Sequence, residues 1–258
     1  MKDIKAPETV LAIDRALVIL KRLASTKEEI GVRELSRDLG YSPAVTQKIL
    51  NTLKAHDFVH QNVDSGRYSL GFGTVRLGIS MLERLDVVRI AYPHMESLTE
   101  ETEETTFLAI RDQLNAVYIS KVTSPNVIRM DADVGSIRPL NCTAVGKVLL
   151  AWATEDALSK LIKEDGLVKA TEKSIIDPEF LKAQLDTIRN RGFALDEREF
   201  HNEGICVAAP IFDQTGEVIA SITISGLASR MEGRLTEFAS LVKTKAEAIS
   251  KAMAYVAV

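Results

Sequence analysis

Three short helical patterns followed by a pair of alternating segments fill residues 10–70, and that succession leaves few folds open. Ile13, Ala16, Leu17, Leu20 and Leu23 recur at helical spacing within residues 10–24, with Thr9 in the N-cap position. A second helix is expected from Val32 to Leu39, with Leu35 and Leu39 facing inward and Gly40 as its stop. Ser42-Pro43 reads as an N-cap followed by proline at the first helical position, opening a third helix that runs to about Ala55. Phe58–Asn62 and Arg67–Leu70 alternate as strands about the turn residues Asp64-Ser65-Gly66. Helix, helix, helix, hairpin is the order of a winged helix-turn-helix.

The third helix has the side chains a major groove selects. Val45, Ile49, Leu50 and Leu53 are assigned to its inner face, and Thr46, Gln47, Lys48, Asn51 and Lys54 to its outer face. Gln47 and Asn51, four residues apart, can offer paired donors and acceptors to base edges. Lys48 and Lys54 can reach phosphates, Thr46 either phosphate or base, and Arg67 at the hairpin tip a backbone or minor groove. Any surface helix is polar, so this face gains its meaning from the hairpin that follows it.

The overall charge of −4 argues against nucleic acid, but its distribution does not. Residues 1–79 hold 12 Lys and Arg against 9 Asp and Glu, while the remainder holds 20 against 27. A mildly basic head on an acidic body suits a tethered DNA-binding module. The 258 residues accommodate two domains. No apolar run reaches the roughly 18 residues of a membrane span, and the charged start Met1–Pro7 has no signal-peptide pattern. With only Cys142 and Cys206, a reduced cytoplasmic setting is expected.

Residues 74–104 read as a linker helix interrupted near Pro93, with Val75, Ile79, Leu82 and Leu85 near one face. Beyond it, strands are expected at Thr106–Arg111, Ala116–Val122, Val127–Asp133, Phe193–Arg198, Cys206–Phe212 and Glu217–Ser225. Helices are expected at Thr143–Trp152, Pro178–Arg191 and Glu232–Val256. This mixture implies an antiparallel sheet covered by helices, an α+β layer. The resulting division is a head over 1–73, a linker over 74–104 and a second domain over 105–258.

Asn141–Lys147 passes from a loop into a helix, whose first-turn N–H groups form an anion site. Ala144 and Gly146 are small enough to let a carboxylate approach the backbone. Ser221, Thr223 and Ser225 share a strand face and can add hydroxyl contacts. An enzymatic alternative makes Cys142, at a helix start, a nucleophile. Among the four histidines only His201, in the loop before Cys206, can approach it, and no third member of a catalytic set is apparent. A phosphate-binding loop fails on spacing, since Asn141 and Val148 stand where Gly and Ser/Thr are required. No Cys/His pair has metal-ligand spacing, and no cofactor is expected. A winged helix that binds protein rather than DNA is the remaining alternative, separable by the salt dependence of DNA affinity.

The chain resembles the IclR family of transcription regulators. The head carries this resemblance in Ile13-Asp14-Arg15-Ala16-Leu17, Glu34-Leu35-Ser36, Leu39-Gly40, Lys48–Leu53 and Gly66–Gly71. The second half carries it in Pro139–Ala151, Cys206–Phe212 and Ile222–Gly226. The chain departs from the family pattern at Ala44 and Val45, where hydroxyl residues are usual, at Asn141 where His is frequent, and by one residue fewer between Gly204 and Cys206. The resemblance implies an all-α winged helix-turn-helix head joined by a linker helix to an α+β GAF-like domain. It implies no enzyme but a regulator, a repressor more than an activator, that binds double-stranded operator DNA as a homodimer or homotetramer and responds to a small organic acid. DNA contacts are expected from Arg33, Ser42, Thr46, Gln47, Lys48, Asn51 and Arg67. Effector contacts are expected from Met130, Cys142, Thr143, Ala144, Val145, Asp196, Cys206, Ser221 and Thr223.

Overall fold

The computed structural model describes residues 9–82 and 86–255. The chain forms two compact units, Met1–Arg84 and Leu85–Val258. Met1–Pro7, the linker position Leu85 and Val256, expected to end the last helix, lie outside the described residues.

In the first unit, α1 (Leu11–Ala24), α2 (Val32–Leu39) and α3 (Pro43–Ala55) precede a hairpin of β1 (Val59–Gln61) and β2 (Tyr68–Leu70), and α4 (Phe72–Leu82) follows. This is the expected winged helix. Gly40 ends α2 at φ 67°, in the left-handed region that glycine enters without strain. Ser42 caps α3 by accepting from the Val45 N–H. The core gathers Ile19, Leu23, Ile30, Leu35, Leu50, Leu53, Val59 and Tyr68. Tyr68 also exchanges backbone hydrogen bonds with Ile30, at 2.8 and 2.9 Å, fastening the wing to the loop before α2.

Two expectations for α1 need correcting. Its N-cap is Val10 rather than Thr9, and no side chain caps it. Its buried residues are Ile19 and Leu23, while Ile13 and Leu17 of the expected inner stripe are exposed. Ala16 and Leu20 of the same stripe are partly buried against the core.

In the second unit, α5 (Asp86–Thr102) leads to β3 (Thr105–Asp112), β4 (Asn115–Val122) and β5 (Ile137–Pro139). Helices α6 (Ala144–Ala151), α7 (Glu155–Lys160) and α8 (Pro178–Arg191) follow, with a π-helical turn at Leu161–Asp165. Strands β6 (Ala194–Glu197), β7 (Gly204–Phe212) and β8 (Val218–Leu227) complete the sheet. The short α9 (Ala228–Met231) and a 3-10 turn then lead into α10 (Leu235–Tyr255). The sheet is antiparallel throughout, in the order β5-β4-β3-β8-β7-β6. Phe107, Ala109, Tyr118 and Ala208 pack with α6 and α8. The alternate residues Leu108, Val207, Ile222 and Ile224 are also buried, so helices cover both faces.

Val127–Asp133, expected to be a strand, is irregular and largely exposed, and the edge strand is Ile137–Pro139. The expected interruption at Pro93 is absent: Pro93 lies inside α5. A proline there forgoes one intrahelical bond. Burial of Val87, Ala91, Met95 and Leu98 along the same helix offsets that loss.

Candidate functional site

On α3, Lys48 and Asn51 are exposed and Gln47 is half-buried. Gln47 Nε2 donates to Asn51 Oδ1 at 2.8 Å and to the Tyr68 hydroxyl at 3.0 Å, so the wing helps hold both side chains. Lys54 reaches across to Gln61 Oε1 on β1 at 2.9 Å. Arg33 on α2 and Ser42 at the start of α3 are exposed.

Thr46 does not belong to this surface. It is fully buried, and its hydroxyl joins Ser36 Oγ at 3.0 Å and donates to the Ser42 carbonyl at 3.2 Å. Thr46, Leu50 and Leu53 are the buried residues of α3, and Ser36 offers Thr46 the inward partner that its polarity requires. Arg67 is also engaged inside the head. Its Nε donates to the Glu29 carbonyl at 2.8 Å and its NH2 to Glu34 Oε2 at 2.8 Å, folding it against the residues before and within α2.

The second unit contains a small cavity of about 40 Å³, set in a hollow of about 490 Å³ that includes open solvent. Thr143, Ala144 and Val145 at the start of α6 line it, with Asp196, Cys206 and Thr223 from the sheet and Met130 from the irregular segment. Register explains the convergence. Asp196 stands opposite Cys206 and Cys206 opposite Ser225, while Thr223 stands opposite Phe107, and Ser225 and Phe107 also line the cavity. Met130 lies over Gly204, where a side-chain carbon would come within 2.9 Å of Met130 Cε. Because that atom ends a flexible side chain, a larger residue at 204 would displace Met130 rather than the backbone.

Two expected members are not in the lining. Cys142 is fully buried beneath it, and the Ser221 hydroxyl donates to the Ala209 carbonyl at 3.2 Å. Arg138, Tyr118 and Phe200 line the cavity and went unread in the sequence. A three-residue edge strand gives no usable periodicity, so nothing there marked Arg138.

At the helix start, Thr143 Oγ1 donates to the Pro139 carbonyl at 2.7 Å and accepts from the Gly146 N–H at 3.1 Å. One first-turn amide is thereby satisfied, and Ala144 and Val145 carry further ones at the cavity wall. Asp196 Oδ1 accepts from the Glu199 N–H at 2.7 Å and the Phe200 N–H at 3.4 Å, which leaves Oδ2 for other partners. Beneath the cavity, Lys147 donates to Glu199 Oε1, while Glu199 Oε2 is buried with no hydrogen-bond partner.

Burial, reinforced by the neighbouring Glu199 carboxylate, lifts the Asp196 carboxyl to about 7. An acid whose folded pKa exceeds its unfolded value binds more protons when folded, so its contribution to stability falls as pH rises from about 4 to 7. Asp196→Asn keeps the Oδ1 acceptor and removes the titration. Relative to the wild type, this variant should gain about 1–3 kcal/mol between pH 5 and pH 8. Urea midpoints at the two pH values measure the change; a difference between the proteins that does not vary with pH rejects the assignment. Burial, with Asp196 and Glu199 nearby, also pushes the Cys142 thiol up to about 12, the reverse of what a thiolate nucleophile needs.

Among the described residues, no group of three or more His, Cys, Asp or Glu is placed to hold a metal ion. No described helix is long and apolar enough to cross a membrane.

Comparison with known proteins matches both units. Residues 12–63 match the IclR helix-turn-helix domain, and residues 79–251 match the bacterial transcriptional regulator IclR C-terminal model. The HTH-type transcriptional regulator KdgR of Escherichia coli is 36% identical, over 97% of this chain and 95% of the relative. The transcriptional repressor IclR of the same organism is 32% identical, over 96% and 92% respectively. The crystal structure of Thermotoga maritima IclR superimposes with a TM-score of 0.77 at 32% identity, covering 94% of this chain and 98% of that one.

Proposed function

Because the chain belongs to the IclR family of bacterial transcription regulators, whose members are not enzymes, we propose that it is a repressor whose hold on operator DNA is modulated by a small carboxylate-bearing metabolite. The observation that carries this reading is the cavity at the start of α6, where the first-turn residues Ala144 and Val145 share one lining with Asp196 and Thr223. Met130, Cys206 and Val145 supply its apolar contacts. The ligand carboxylate lies at the Ala144–Val145 amides, and a hydroxyl takes Asp196.

On the head, Gln47 and Asn51 read bases, while Lys48, Arg33 and Ser42 contact phosphates. Arg67 supports the wing from its bond to Glu34. Residues 74–104 connect the head of 1–73 to the sensor of 105–258. Even-numbered assembly, as a homodimer or homotetramer, is supported by the apolar residues exposed in one chain. These include Ile13 and Leu17 on α1, and Phe72, Val75, Leu77 and Ile79 on α4. An effector acts only through its different affinity for the DNA-competent and DNA-released arrangements, typically about 1–3 kcal/mol of coupling.

The test combines selection of DNA sites by the full chain with footprinting of the selected duplex. Two protected half-sites related by a dyad are expected. Ala144→Leu pushes bulk into the cavity from its buried wall and should leave operator binding intact while abolishing release by the effector. An asymmetric footprint sinks the paired reading of DNA, and an Ala144→Leu protein that responds at normal effector concentration places the sensor elsewhere.

A further inference from the structure

Resting on that reading of the cavity, we propose that Arg138 is an anion anchor that makes the effector a hydroxy acid, with its acidic group held by the Arg138 guanidinium and a hydroxyl held by Asp196. Arg138 belongs to β5 and Asp196 to β6, the two outermost strands of the sheet. Both line the same cavity, so opposite edges of the sheet bring a cation and an acid to one hollow.

The two groups are not paired with each other. Among the described residues, no carboxylate lies within ion-pair distance of Arg138. Its guanidinium instead lies 5.0 Å from the centre of the Tyr118 ring and 5.5 Å from that of Phe200, and NH1 donates to the Ile137 carbonyl at 2.9 Å. The rings hold the cation without neutralising it. A guanidinium already oriented, partly desolvated and lacking a counter-ion is suited to bidentate binding of a carboxylate.

Other charged groups in the lining are less available. Asp131 is bonded to Lys121 at 2.9 Å. His201 has its pKa lowered by burial and by Arg138, so it adds little positive charge near neutral pH. Asp196 uses Oδ1 on backbone amides and retains Oδ2 for a ligand. An acid with a hydroxyl at its other end satisfies both walls. The acidic group then bridges the Arg138 guanidinium and the Ala144–Val145 amides of the same lining, and the hydroxyl reaches Asp196.

The experiment is calorimetric titration of the full chain with lactate, glycerate, gluconate and mandelate, each paired with its primary amide. The wild type should bind at least one acid about 10- to 100-fold more tightly than its amide. Arg138→Gln should reduce that ratio to below threefold by weakening the acid while sparing the amide, and Arg138→Lys should recover part of it. Unchanged melting of both variants without ligand shows that the sheet edge is intact. A ratio unchanged in Arg138→Gln overturns the anchor. Failure of every hydroxy acid to bind the wild type overturns the ligand class. The reading of the cavity fails separately, if Ala144→Leu binds the same acid as tightly as the wild type.

Discussion

Lys147→Ala should destabilise the sensor unit by about 3–5 kcal/mol, because it leaves Glu199 buried without its cation. Lys147 is fully buried on α6, and its ammonium is the side-chain hydrogen-bond donor to Glu199 Oε1. The other oxygen already lacks a partner. Burial outweighs the lysine and keeps the Glu199 carboxyl above the usual range even in the intact pair. Removing the lysine raises it further, so the loss should be larger at pH 8, where the acid must ionise, than at pH 5. Lys147→Met combined with Glu199→Leu should return most of the stability, since a packed apolar pair replaces a desolvated ionic one. Denaturant unfolding of the full chain measures all three. A Lys147→Ala loss below about 1 kcal/mol at pH 8 would mean that Glu199 is solvated and the pair is incidental.

The second large effect is expected in the head. Gly71 links the wing to α4, and its N–H donates to the Phe58 carbonyl at 2.9 Å. A methyl there would fall well inside contact distance of the Asp57 carbonyl oxygen and 2.9 Å from its carbon. Backbone cannot swing aside as a flexible side chain does. Gly73 is similarly close to Asp57, so the strain has no easy outlet. Gly71→Ala should cost the head about 2–4 kcal/mol through overpacking and a stretched hydrogen bond. Because the head is a separate compact unit, two unfolding steps are expected, with only the head's shifted and DNA binding lost with it. Gly78→Ala, open on all sides within 4 Å, is the control and should be neutral or slightly stabilising. Equal melting of Gly71→Ala and wild type would remove the steric argument.

The winged helix was legible because its punctuation is local: Gly40 at a left-handed stop, Ser42-Pro43 at a start, and Asp64-Ser65-Gly66 between strands. Long helices also declared themselves, and α8 spans the expected Pro178–Arg191. Partnership in space was less legible. Thr46 looked outward by polarity, but Ser36, ten residues earlier, turns it inward through a hydrogen bond. Arg67 looked free at a turn, although Glu34 lies beside it once the wing folds back. Val127 and Ile128 suggested a strand by composition, yet both are exposed on an irregular segment. Seven of the nine expected effector positions line one cavity. Arg138 escaped because its meaning depends on the far edge of the sheet, where Asp196 sits.

The bond between Gln47 and Asn51 narrows the alphabet that the proposed reading helix can spell. Both hydrogens of Gln47 Nε2 are engaged, one by Asn51 and one by Tyr68. What remains outward is an acceptor on Gln47 and a donor on Asn51. Adenine offers an acceptor and a donor side by side in the major groove, whereas guanine offers two acceptors. On the proposed reading, the resting head therefore favours adenine before any duplex arrives. To read guanine through Gln47, it must first surrender a hydrogen bond to a tyrosine that belongs to the wing.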